Sequence, residues 1–150
     1  MPKPVYIVCA ESAVEDKLTS KHSVFNIIEK VMAFKREEDQ PLTTFSCVVS
    51  AVWRREPRDD CDFETEFAVL LPKSGERHSI AQQEFKFPPG NQMARFNLLF
   101  NGPPPVDGGG VLEFLHCIRK KGTNEWSTQS YPVFVEEVKS GQPQNAVARA

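Results

Sequence analysis

Three histidines, four cysteines and one dense acidic run are the residues of this 150-residue sequence with the chemistry to form a site. His22, His78 and His116 stand far apart, and His116 directly precedes Cys117. A structural zinc site needs four converging ligands, and no second pair of Cys or His has that spacing. Each histidine is therefore expected to face solvent or to be satisfied by a hydrogen bond. Cys117 and His78 could meet across neighbouring strands, but a thiol nucleophile also needs an orienting group and a pocket. No local motif supplies either. Cys9, Cys47 and Cys117 lie within apolar runs, Cys61 does not, and no C-x-x-C occurs. Buried free thiols acting as small hydrophobes are the expectation.

The acidic run is Asp59, Asp60, Asp62, Glu64 and Glu66. Calcium takes several oxygen ligands from loops of this kind. Asp59, Asp60 and Asp62 form a weak calcium candidate, which Asp107 joins if its Gly-rich loop lies at the same end of the fold. No EF-hand spacing is present, and a solvated loop with Arg54, Arg55 and Arg58 as neighbours is the plainer expectation. Gly108-Gly109-Gly110 lacks the Gly-Lys-Ser/Thr ending of a phosphate loop and reads as a flexible connection. Arg54-Arg55 and Arg119-Lys120-Lys121 are short basic runs of the sort that blunt strand ends. With no nucleophile motif, catalytic carboxylate pair or cofactor fingerprint, neither catalysis nor a cofactor is expected.

The elements that must position these residues are strands. From Thr43 to Arg55, Phe45, Cys47, Val49, Ala51 and Trp53 alternate with Thr44, Ser46, Val48, Ser50, Val52 and Arg54. That period of two marks a strand with one buried face. Phe63, Thr65, Phe67, Val69 and Leu71 repeat it, and the polar connection Glu56–Asp60 suggests that the two runs pair as an antiparallel hairpin. Further runs follow at His78–Phe87, Ala94–Phe100, Val111–Arg119 and Trp126–Val138, separated by Gly- and Pro-rich turns. Val111–Arg119 is apolar on both sides, as in a central strand. Pro132 cannot donate to a ladder, so part of the last run is expected at a sheet edge or bulge. Ser23–Phe34 fits a strand, with Phe25, Ile27 and Val31 on one face. A short helix capped by Ser23 is the open alternative.

Breaker-separated alternation without crossover helices points to an all-β fold, a mainly antiparallel β-sandwich of seven or eight strands. Eleven Phe and twelve Pro agree with it. Residues 1–138 make one domain, and 139–150 read as a disordered polar tail. The formal net charge of −2 offers no basic field for nucleic acid or an anionic membrane. The apolar run Val5–Ala10 is too short for a signal peptide or a membrane span, so a cytoplasmic protein is expected.

Cys9-Ala10-Glu11, followed by Ser23-Val24-Phe25-Asn26-Ile27-Ile28-Glu29, resembles the N-terminal part of a family of small, functionally uncharacterised bacterial proteins. The likeness covers about the first third of the chain. It implies a bacterial or phage source and a stand-alone domain, and brings no activity, cofactor or site residue. The function expected is non-catalytic binding or scaffolding, most simply of another protein, through a sheet face or edge. A small hydrolase or a calcium-dependent domain using loop carboxylates is the alternative. Self-association is expected where a strand edge is left open. Phe85, Phe87, Phe96, Phe100 and Trp126 are expected mostly in the core, and those that face outward together would form the binding patch.

Overall fold

The computed structural model describes residues 1–19, 21–35, 42, 43 and 45–139, and among these residues every regular element is a strand. Ten strands follow in chain order: β1 (Lys3–Glu15), β2 (His22–Ile27), β3 (Lys30–Lys35), β4 (Leu42–Thr43), β5 (Cys47–Arg54), β6 (Phe63–Leu70), β7 (Arg77–Phe85), β8 (Met93–Phe100), β9 (Gly110–Lys120) and β10 (Ser127–Lys139). They form a β-sandwich. One sheet has the order β2-β1-β5-β8 and the other β4-β3-β10-β9-β6-β7. All pairings are antiparallel except β3 with β10.

Alternation explains the core. Cys47, Val49, Ala51 and Trp53 of β5 point inward against Phe63, Phe67 and Val69 of β6 and Leu112, Phe114 and Ile118 of β9. Phe100 meets Phe114 at 5.7 Å and Phe96 meets Phe85 at 5.0 Å, both across the sheets. Burying a side chain such as Phe63 completely is worth about 1.5–3 kcal/mol. The β5 and β6 runs thus line one interior, but they do not form the expected hairpin. β5 belongs to the four-stranded sheet and β6 to the six-stranded one, and the connection between them arches across the sandwich. Two strands whose apolar faces must meet face to face cannot also lie side by side.

Ser23–Phe34 is neither one strand nor a helix. It splits into β2 and β3, which belong to different sheets. Asn26 sits at φ 54, a conformation Asn tolerates better than most residues, and at the switch the Ile28 N–H donates to the Cys9 carbonyl. Phe25 and Ile27 are consequently exposed while Val31 is buried. The long alternation ascribed to Thr43–Arg55 begins at Cys47, with Thr43 in the separate β4 and Thr44 outside the described residues. β9 is central, as expected, between β10 and β6.

Pro132 lies in the interior strand β10 without a bulge, opposite Glu113 of β9. The Phe134 N–H donates to the Glu29 carbonyl on the β3 side. Alternation turns the Pro132 nitrogen to that same side, where β3 has not yet begun to pair. The proline therefore occupies a local edge within a central strand. Lys139 closes β10, and the rest of the expected tail lies outside the described residues.

The four-stranded sheet carries an unexpected cover. Val48, Ser50 and Val52 point away from the core yet are buried. Glu15 is nine residues beyond Tyr6, about 30 Å along an extended strand. Even so it pairs at 2.8 Å with Arg95, whose strand position is level with Tyr6 through Val52. β1 must therefore fold back after Ala10 and carry β2 over the outer face of β5. The bend is marked by Asn26, whose amide donates to Glu11 at 2.6 Å.

Candidate binding edge

The chemistry-bearing residues fall into separate groups. His116 is wholly buried between the sheets. Its Nδ1 accepts from the Trp53 indole N–H at 2.7 Å, which places the ring proton on Nε2. Gln129 shares the indole proton, accepting at 2.8 Å, and its amide donates to the Tyr6 carbonyl at 3.0 Å. His116 Nε2 has no hydrogen-bond partner among the rings of Phe67 and Phe96, at 4.3 and 4.7 Å. Burial pushes the imidazole down to about 3, so it stays neutral.

His78 and Cys117 do not meet. His78 follows Arg77 on β7 and shares a face with the buried Val69, whereas Cys117 lies on the outer face of the sheet. There Cys117 accepts from Thr128 at 3.3 Å and borders the Arg77 guanidinium. Arg77 grips the carboxylate of Glu66 with both terminal nitrogens and holds it down to about 2. Cys9 and Cys47 are buried neighbours; the Cys47 thiol beside it, with burial, pushes Cys9 far up, so it is no thiolate nucleophile.

Each of the calcium candidates is engaged by another partner. Asp59 is buried against the Glu56 N–H and the Met1 amino group, Asp60 pairs with Arg55, and Asp62 lies 3.8 Å from Lys86. Asp107 accepts from the Lys73 and Ser74 N–H groups at 2.8 Å each, beyond the far end of β6. An eight-residue strand, about 25 Å, separates it from the others. Gly108–Gly110 is a packed joint, not a flexible connection. Gly110 adopts φ +138, and a Cβ there would sit 3.0 Å from the Pro72 carbonyl oxygen. The basic runs are matched locally: Arg54 with Glu56, Arg119 with Glu64 and Lys121 with Glu84.

Sequence reasoning missed a polar cluster under the folded-back hairpin. The Tyr6 hydroxyl lies 2.7 Å from His22 Nδ1, and Ser50 Oγ lies 3.4 Å from Nε2. Burial, then the Arg95 charge, lowers the His22 pKa. A serine, a histidine and an orienting hydroxyl are the parts of a nucleophile relay. Ser50, however, has no solvent exposure, so an electrophile has no approach to its oxygen. The arrangement fastens the hairpin to the sheet.

The expected aromatic patch does not form either. Phe87 and Phe96 are buried, Phe85 and Phe100 pack against the core, and Trp126 lies beneath the Arg119 guanidinium at 4.4 Å. The opening lies instead along β8. Among the described residues β8 pairs with β5 alone. The Arg55 N–H donates to the Gln92 carbonyl, and the register runs unbroken from Met93 to Phe100. By alternation residues 94, 96, 98 and 100 bond to β5, while Met93, Arg95, Asn97 and Leu99 aim their N–H and C=O groups outward. A groove of about 560 Å³ borders this edge, lined by Glu15, Phe85, Lys86, Met93, Arg95 and Phe96 among others.

No protein-family model matches this chain, and no curated protein matches it. The arrangement of its own residues is therefore what any functional reading rests on.

Proposed function

We propose that this chain is a non-catalytic protein-binding domain that captures an extended segment along the free edge of β8. The observation that carries the reading is the contrast among the four sheet edges. β7 is broken by a bulge at Ile80 and carries Arg77 and Glu84. β2 is bent at Asn26, and β4 spans Leu42–Thr43 among the described residues. Bulges, charges and shortness are how proteins protect an edge from pairing. β8 has none of them: eight residues, no bulge, no proline, and a single charge already neutralised by Glu15. Its outward groups form a template for strand addition, in which main-chain hydrogen bonds supply affinity and alternate side chains supply selectivity.

Asn97→Pro deletes one outward N–H and leaves the bonds to β5 in place. Selection of displayed extended peptides on the immobilised protein should yield binders that the Asn97→Pro variant loses by at least tenfold, while its thermal midpoint matches that of the native chain at concentrations where both are monomeric. Binders held equally well by both proteins would place the binding surface elsewhere.

A further inference from the structure

Resting on that reading, we infer that the segment which β8 pairs with is β8 of a second copy of this chain, joined antiparallel about a two-fold axis at Phe96. Only residues with outward backbone groups can exchange hydrogen bonds, so self-pairing of β8 is restricted to registers in which the two partners' numbers add to an even sum. Three such registers keep most of the strand paired. With the axis at Arg95, two guanidinium groups stand directly opposite and Met93 faces Asn97. With the axis at Asn97, Arg95 faces Leu99 of the other copy. With the axis at Phe96, Met93 faces Leu99, Ala94 faces Leu98, Phe96 faces its own copy and Arg95 faces Asn97.

Only the last arrangement sets apolar against apolar and polar against polar throughout, which is what stabilises cross-strand neighbours. The side chains support it. Leu99 is 62% exposed and Met93 41%, on the outer face, and each covers the other in this register. Arg95 is held back by Glu15 and repels nothing at the seam. The contact is isologous, so it closes at two copies and does not propagate into a fibre. The two four-stranded sheets become one sheet of eight strands, and the edge that invites aggregation disappears.

Light scattering after size-exclusion chromatography should give twice 16.9 kDa at high concentration, and the Asn97→Pro protein should stay at 16.9 kDa. The register is read with Ala94→Cys and Leu98→Cys together in a Cys61→Ser background, where an added thiol oxidant should link two chains in high yield. Ala94→Cys or Leu98→Cys alone should not link, because neither residue faces its own copy. A protein that remains monomeric at every concentration overturns the inference, as does a dimer that survives Asn97→Pro or fails to cross-link. Capture of displayed peptides that is lost in Asn97→Pro, from a protein that stays monomeric, would leave strand addition standing and remove only the second copy. Loss of both would remove both.

Discussion

At the scale of single residues, the most consequential group is the one the core encloses. His116 is held neutral by burial, and its indole partner Trp53 is shared with Gln129. The unfolded chain takes up a proton at this imidazole near pH 6.5, whereas the folded chain resists until about 3. Because the unfolded state binds the extra proton, stability falls as the pH drops through that window. The loss approaches on the order of 5 kcal/mol at its lower end. Glu66 adds a second loss with the same sign: Arg77 holds its carboxylate down to about 2, so that contribution fades as pH falls from 4.5 toward 2. Urea denaturation at pH 7 and pH 4 should show a large fall in midpoint for the native chain and a much smaller one for His116→Leu, whose stability at pH 7 sets its own baseline. Equal falls would mean that His116 is not the proton acceptor. The sequence left His116 a strand histidine either facing solvent or satisfied by a hydrogen bond, and the second holds at Nδ1. Its partner was not legible, since Trp53 is 63 residues away and meets it only because the two sheets face each other. For the same reason, Asp107 and Asp62 look close to one loop cluster in composition but lie beyond opposite ends of β6.

At the scale of elements, periodicity reveals which residues point the same way but not which strands are neighbours. Phe63 to Leu71 was legible, because four of the five alternate residues are apolar and all five, Thr65 included, are buried. Ser23–Phe34 was not, because the sheet switch at Asn26–Glu29 interrupts no apolar pattern. The burial of Val48, Ser50 and Val52 was hidden too, since no local pattern in β5 shows that a hairpin carrying Glu15 and His22 covers its outer face. The backbone parity of β8 makes a sharp comparison possible. Asn97→Pro removes an N–H that bonds to no described strand, and at concentrations low enough to keep the native chain monomeric its thermal midpoint should remain within a few degrees of the native value. Leu98→Pro removes a bond to β5 and should cost about 1–3 kcal/mol from the orphaned carbonyl alone, visible as a clear drop in midpoint. A reversed order would mean that the parity is wrong. The folded-back hairpin has its own test. Asn26→Val forces a β-branched residue into a left-handed conformation at a cost of about 1–2 kcal/mol. Hydrogen exchange should then speed up across residues 11–27 before it does so in β5, β6 or β9.

At the scale of the whole molecule, the sandwich has a flank where β8 and β7 end their sheets side by side and Phe85 and Phe96 bridge them, with β8 paired to β5 alone among the described residues. The fold class was legible because alternation and breakers recur along the chain, whereas the open edge was not, because being last in a sheet is a property of strand order. Pairing of two copies through β8 would lift the apparent thermal midpoint with protein concentration, which a monomer does not show. The parallel pairing of β3 with β10 has a different consequence. Lys30 and Phe134, which stand opposite each other, are separated by about 100 residues of chain. A ribosome adding about 5–20 residues per second makes the second partner roughly 5–20 s after the first. Throughout that interval β3 has only its short pairing with β4, Ala33 opposite Thr43, so Val31 waits for its main ladder until synthesis reaches its mate.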